Sequence, residues 1–188
     1  LGLILQFGMA QTTAPLATRI AKANLQSVVT LVALDENSQP MGLGSGFFTT
    51  TNGLLATNAH VIEGAAKVVL RWQGQSGTAD RIVRFDQRFD LVLLQTSFSS
   101  TPAVKLGDSE KIEVGEEIVA LGSPYGFEGT VSTGIISGIR SIDGIKYLQI
   151  TSPISPGSSG GPIFNANGVV VGVATSSLTG GQNLNFAL

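Results

Sequence analysis

The chain holds one histidine, His60, and no cysteine. Imidazole chemistry must therefore run through a single side chain, while thiol nucleophiles, disulfides and thiolate metal sites are excluded together. His60 sits in Thr57-Asn58-Ala59-His60-Val61-Ile62, directly after an apolar run that reads as a strand, and strand ends are where sites commonly form. A lone histidine is more often structural than chemical, so its partners decide the matter. Pro156-Gly157-Ser158-Ser159-Gly160-Gly161-Pro162 offers one. It has neither Asn nor Asp and is a poor hairpin turn, but glycine on both sides of serine permits unusual backbone angles and lets successive N–H groups converge on one concavity. Such a nest stabilises a developing negative oxygen, and a serine at its lip is placed to create one. Phe89-Asp90-Leu91-Val92-Leu93-Leu94 offers the other, because an Asp at the head of an apolar strand is drawn toward burial, where a carboxylate needs a partner. Asp86 competes, but its neighbours Gln87 and Arg88 read as an exposed turn, and Asp35, Asp80, Asp108 and Asp143 lie in polar loops. In the order His60, Asp90, Ser159 these residues supply a base, a carboxylate to hold its tautomer and an alcohol beside an N–H nest. That is the minimum set for acyl transfer, in one of the chain orders that convergent triads use.

Composition removes other classes. Eleven basic against 13 acidic residues, a net charge of −2, imply no basic face, which argues against a nucleic-acid partner. One histidine rules out a metal site built on two, and no cofactor or metal is implied. Gly42-Leu43-Gly44-Ser45-Gly46 looks like a phosphate loop but lacks the third glycine at the right spacing and runs into β-type residues. Strand glycines at a barrel corner are the better reading. No apolar run reaches 18 residues, so no membrane span is expected.

The elements that must position these residues are mostly short strands. Glycine is abundant, 24 of 188 residues, and charged residues make up only 13% against a usual ~25%. Thr12-Thr13 before Pro15 reads as a helix cap with proline in the first turn, and Leu16, Ile20 and Leu25 form an apolar stripe to about residue 26. Strands are predicted at 28–34, 46–49, 54–57, 67–71, 81–85, 91–94, 117–121, 130–139, 147–151 and 169–174, with Asn52-Gly53 as a two-residue hairpin turn. That is the pattern of an antiparallel sandwich or barrel. Residues 96–116 carry few strand signals and read as a connector between two sheet units. Before the helix, Leu1-Gly2-Leu3-Ile4-Leu5 and Gly8-Met9-Ala10 fit either the end of an export signal or an apolar arm packed on the body or a neighbouring subunit.

Gly44-Ser45-Gly46-Phe47, Thr57–Ile62, Phe89–Leu94, Ala120-Leu121-Gly122-Ser123-Pro124, Ile154–Pro162 and Asn183-Leu184-Asn185-Phe186-Ala187 together resemble the HtrA (high-temperature-requirement) branch of the trypsin-like serine proteases, over residues 26–188. The resemblance implies an all-β fold of two perpendicular six-stranded antiparallel barrels, about 27–95 and 117–188, joined by a linker at about 96–116 and preceded by a short helix. It implies a serine endopeptidase acting on unfolded or damaged exported proteins, periplasmic or in the cell envelope. Ser159 would be the nucleophile, His60 the base and acid, and Asp90 the residue orienting it. The oxyanion hole would come from the 157–159 turn (Gly157, Ser158, Ser159), specifically the N–H groups of Gly157 and Ser159, and substrate would pair as a strand beside Val173-Ala174-Thr175.

Two departures stand out. Ser158 occupies a position that is usually Asn in the branch and Asp in digestive relatives, which argues against switching by a cleaved N-terminus. The peptide-binding PDZ domain that often follows the protease is expected to be absent from this chain, which stops at Leu188. The branch often forms trimers through N-terminal apolar contacts, and Leu3, Leu5 and Phe7 could serve. A catalytically silent peptide-binding module and a small-molecule esterase are the competing functions. Keeping all three triad positions argues against the first, and a substrate-pairing strand against the second. From Tyr147 to Leu188 there is no Asp, Glu, Lys or Arg. The pocket walls implied by the resemblance, around Ile154, Val173–Ser176 and Leu178, fall inside that stretch. A cation entering there would lose its water without a counter-charge, so cleavage after Val, Ile, Ala or Leu is expected.

Overall fold

A computed structural model describes residues 14–123, 129–177 and 185–188. Leu3, Leu5, Phe7, Leu178 and the Thr12-Thr13 cap lie outside these residues. The chain opens with helix α1, Leu16–Asn24, extended by a 3-10 turn at Leu25–Ser27. The apolar stripe does what its spacing requires: Ile20 is buried, with Leu16 and Leu25 packed beside it. Pro15 stands at the N-cap, not inside the first turn. A cap residue needs an extended ψ, here 147°, with φ near −50°, and proline's ring holds φ close to that value.

Among the described residues, twelve strands follow in two closed antiparallel barrels. The first contains β1 (Val28–Leu34), β2 (Pro40–Phe48), β3 (Leu54–Asn58), β4 (Lys67–Trp72), β5 (Gln75–Asp86) and β6 (Leu91–Thr96), in the order β1-β2-β3-β6-β5-β4. The second contains β7 (Glu117–Gly122), β8 (Thr130–Ile142), β9 (Ile145–Ile150), β10 (Pro162–Asn165), β11 (Val170–Ser177) and β12 (Asn185–Ala187), in the order β10-β11-β12-β9-β8-β7. Alternation along the strands fills three cores. Val29, Leu31, Phe48, Leu55, Leu70 and Leu94 fill the first barrel, and Ile118, Ile136, Leu148, Ile150, Ile163 and Val171 fill the second. Between them, Val28, Phe47 and Ala56 from one barrel meet Val119, Phe164 and Val173 from the other. At roughly 1.5–3 kcal/mol per fully buried aliphatic or Phe side chain, this third core is what holds the cleft between the barrels in register. The connector is stitched to both: the Val104 N–H donates to the Phe48 carbonyl at 3.0 Å, and the Gly107 N–H to that of Val170 at 2.8 Å.

Asn52-Gly53 does not close the two-residue turn expected of it. The ladder between β2 and β3 ends at Phe48↔Leu55, and a longer loop follows. The reason is tertiary. The Gly53 carbonyl accepts the Thr96 hydroxyl at 2.8 Å and the Thr50 carbonyl accepts that of Thr101 at 2.8 Å, so neighbouring segments satisfy the loop backbone. The first half of β2, β10 and β12 escaped the sequence reading because they are glycine-rich, proline-led or three residues long. The glycines of β2 are there for close approach: a Cβ on Gly44 would lie 2.4 Å from Val61 Cγ1, and one on Gly46 2.7 Å from Leu55 Cδ2.

Candidate active site

β3 delivers His60. Its last residue, Asn58, is fully buried, and a 3-10 turn at Ala59–Val61 swings the His60 side chain out, leaving it 41% exposed. Asp90 comes from the residue before β6, in the left-handed region at φ 48°. Asp is among the few side chains that tolerate this conformation. The backbone of Asp90 is held there by the Ala59 N–H (3.0 Å) and the Asn58 side-chain amide (2.9 Å), both donating to its carbonyl. Its carboxylate then grips His60 twice. Oδ1 accepts the His60 backbone N–H at 2.9 Å, and Oδ2 lies 2.6 Å from His60 Nδ1. The Thr175 hydroxyl, from β11 of the other barrel, makes a long contact with Oδ2 at 3.5 Å. Hydrogen bonding to Asp90 holds the His60 pKa above its ordinary value. Partial burial opposes the shift, and the charges of Asp90 and Glu63 add to it. Asp86, the rival carboxylate, accepts the Phe89 N–H at 3.2 Å within its own turn.

Ser159 reaches the same end of the cleft through main chain. Its carbonyl accepts the Ser45 N–H at 2.8 Å. Next to it, Gly160 (φ 86°) is pressed onto β2 and β3 so closely that a Cβ would lie 2.1 Å from the Ser45 carbonyl and 2.2 Å from Thr57 Oγ1. The Ser159–Gly160 step thus abuts Asn58, two residues before His60. No hydrogen bond joins the Ser159 hydroxyl to His60 among the described residues. Gly157 has φ 93°. The Ser158 N–H donates to the Ser155 carbonyl at 2.8 Å, which removes Ser158 from the expected set of oxyanion donors. Among the described residues the N–H groups of Gly157 and Ser159 have no acceptor.

The expected substrate-binding residues divide. Ile154 and Ala174 line an uncharged cleft of about 250 Å³ with Ser155, Ser158, Val131 and Leu121. Val173 turns into the core between the barrels. Main-chain pairing with substrate is also closed to Val173 and Ala174: Val173 exchanges both bonds with Leu188 (2.7 and 3.0 Å), and Ala174 binds Gly161 and Gly160 (2.8 Å each). Three contributors were not singled out for the site from the sequence: Asn58, Glu63 and Ser45. The nearest signal was a serine flanked by glycines, Gly44-Ser45-Gly46, within a buried strand. Among the described residues no three His, Asp or Glu side chains gather as metal ligands, and no helix is long and apolar enough to cross a membrane.

Residues 44–173 match the family model described as a trypsin-like peptidase domain, and the chain belongs to that family. Within it, the similarity is to the HtrA, DegP-like branch. A protein of Pseudomonas putida named probable periplasmic serine endoprotease DegP-like is 38% identical over 161 residues, covering 82% of this chain and 34% of that protein. A Marinomonas protein of the same description is 38% identical over 160 residues, covering 81% of this chain and 34% of its own. Among solved structures, the HtrA-type protease AlgW with tripeptide superposes with a TM-score of 0.84 at 30% identity, covering 93% of this chain and 60% of that one. The serine endoprotease from Yersinia pestis gives 0.78 at 27%, covering 91% and 61%. The chain thus spans about a third of the length of these curated relatives.

Proposed function

We propose that this chain is a serine endopeptidase that cleaves extended segments of unfolded or damaged exported proteins. One observation carries the reading: the double grip of Asp90 on His60, 2.9 Å to the backbone N–H and 2.6 Å to Nδ1, at the cleft edge where Ser159 arrives from the other barrel. With Nδ1–H held by Asp90, Nε2 is the free base. Ser159 Oγ adds to the substrate carbonyl carbon as its proton passes to Nε2. The carbonyl oxygen becomes an oxyanion received by the Gly157 and Ser159 N–H groups. The C–N bond then breaks, with the His60 proton leaving on the amine and an acyl group on Ser159. Water adds to the acyl carbon, giving its proton to His60, and the acid departs as Ser159 regains a proton. The hydroxyl–imidazole bond forms as substrate enters, as is common for such pairs. Substrate pairs with β11 from Thr175 onward, since the backbones of Val173 and Ala174 are occupied. An export role, to the periplasm or cell envelope, draws support from the periplasmic names of the relatives.

The uncharged cleft at Ile154 and Ala174 receives the side chain before the cut. An aliphatic group gains roughly 1.5–3 kcal/mol there by full burial, while Arg or Lys loses water with no counter-charge. Digesting a peptide library with wild type and Ser159→Ala in parallel tests both claims. The variant is expected to fold and to lose about 10⁴–10⁶ of turnover. The wild type is expected to cut after Val, Ile, Ala or Leu. Equal cutting by the variant would overturn the nucleophile. Efficient cutting after Arg by the wild type alone would overturn the pocket and leave the triad standing.

A further inference from the structure

The oxyanion donors of the proposed reaction belong to the second barrel, yet a side chain of the first holds their turn. Ser45, on β2, is fully buried. Its hydroxyl donates to the Gly157 carbonyl at 2.6 Å and accepts the Ser123 N–H at 2.9 Å. The single hydroxyl proton therefore has one direction to point, because Ser123 is itself the donor to Ser45. We propose that Ser45 is a positioning residue for the oxyanion hole, acting through the Gly157 carbonyl. This rests on the peptidase reading above.

The mechanics follow from peptide planarity. The 157–158 peptide is pinned at both ends, its carbonyl by Ser45 and its N–H by the Ser155 carbonyl at 2.8 Å. The 158–159 peptide is pinned at its carbonyl by the Gly161 N–H at 3.0 Å, which aims the Ser159 N–H the opposite way. With the 157–158 plane fixed, the Gly157 N–H is aimed by the positive φ that only glycine adopts readily. Without the Ser45 hydroxyl, the buried Gly157 carbonyl has no partner and the Ser123 N–H loses its acceptor. Once its carbonyl is released, the 157–158 peptide can rotate to find another partner. The Gly157 φ and ψ that aim the N–H on the other side of its Cα, in the 156–157 peptide, are then no longer held. Ser45 thus lets the first barrel, which carries the base, set the electrostatics of the nucleophile's turn.

The test compares wild type, Ser45→Ala, Ser159→Ala and the isosteric pair Ser45→Thr and Ser45→Val, counting active sites with a fluorophosphonate. Kinetics on a peptide amide that the wild type cleaves are expected to show kcat per titrated site about 10–100-fold lower in Ser45→Ala, with KM within about twofold. Affinity for a peptide aldehyde, whose carbon becomes tetrahedral on Ser159 with its oxygen in the hole, should fall by the same factor, while affinity for the product peptide stays put. Ser45→Thr should recover most of the loss and Ser45→Val none, a comparison that stands if Ser45→Ala folds poorly. An unchanged kcat per titrated site, a loss shared by the product peptide, or equal kcat in the Thr and Val variants would overturn the proposal. Failure of the wild type to react, or full activity of Ser159→Ala, would instead overturn the peptidase reading.

Discussion

The two barrels furnish the cleft with different materials. The first contributes ionisable side chains held by other polar groups: His60 gripped by Asp90, Asp90 by Asn58 and Ala59, and Glu63 close enough to bias the imidazole. The second contributes backbone, a turn shaped by Gly157 and Gly160 at positive φ inside a stretch with no charged residue. One side can change charge and the other cannot. A substitution among the first barrel's ionisable residues should therefore alter ionisation and leave the fold alone, whereas one at the second barrel's positive-φ glycines should alter geometry.

The strongest probe of this contrast is Asp90→Asn. It keeps the shape but permits the wrong imidazole tautomer, and activity at neutral pH is expected to fall by about 10³–10⁴ with the thermal midpoint little changed. Asp86→Asn, whose amide oxygen can still accept the Phe89 N–H, should be nearly silent. If the two exchange phenotypes in a steady-state assay, the carboxylate has been assigned wrongly.

Next in size is Gly160→Ala, where the added carbon meets the Ser45 carbonyl at 2.1 Å in a strained conformation. Loss of about 3 kcal/mol or more in urea unfolding is expected. Gly168→Ala also sits at positive φ (74°), but its nearest neighbour is the Ile20 Cδ1 at 3.5 Å, so about 1 kcal/mol of strain should be its whole cost. Similar losses in both would mean that the seam between the barrels is not the tight contact described.

The smallest effects concern protons. In the proposed reaction His60 must be neutral to accept from Ser159, and its pKa is raised, so the rising limb of kcat/KM should lie above the value of about 6.5 for free histidine. Stability runs the other way. The raised pKa contributes stability fully below the unfolded value and loses it as pH rises through the folded one, so pH-dependent unfolding of wild type and His60→Gln should converge at high pH. Glu63→Gln should move the rate limb to lower pH without changing the plateau, because it removes the more distant of the two charges.

Much of this was legible along the chain. Strand β1 was expected at the residues where it lies, and the α1 stripe at Leu16, Ile20 and Leu25 packs as spaced. These are readings of period and local chemistry, which need only a few neighbouring residues. Misreadings fell where distant segments take over. Asn52-Gly53 yielded its tight turn to hydroxyls from Thr96 and Thr101, and Val173 was claimed by the core between the barrels.

What the sequence alone determined was the inventory: one imidazole, no thiol, a carboxylate at the head of an apolar strand, a serine among glycines, and a C-terminal stretch without charge. Which of these meet, and which backbone groups are left free, was decided only by closure of the two barrels. Ser45 and Gly157 lie 112 residues apart, and the hydrogen bond between them exists because β2 and the turn before β10 share one seam. Nothing local to Ser45 favours that partner. The buried Gly157 carbonyl needs a donor, and only the packed structure brings one within reach.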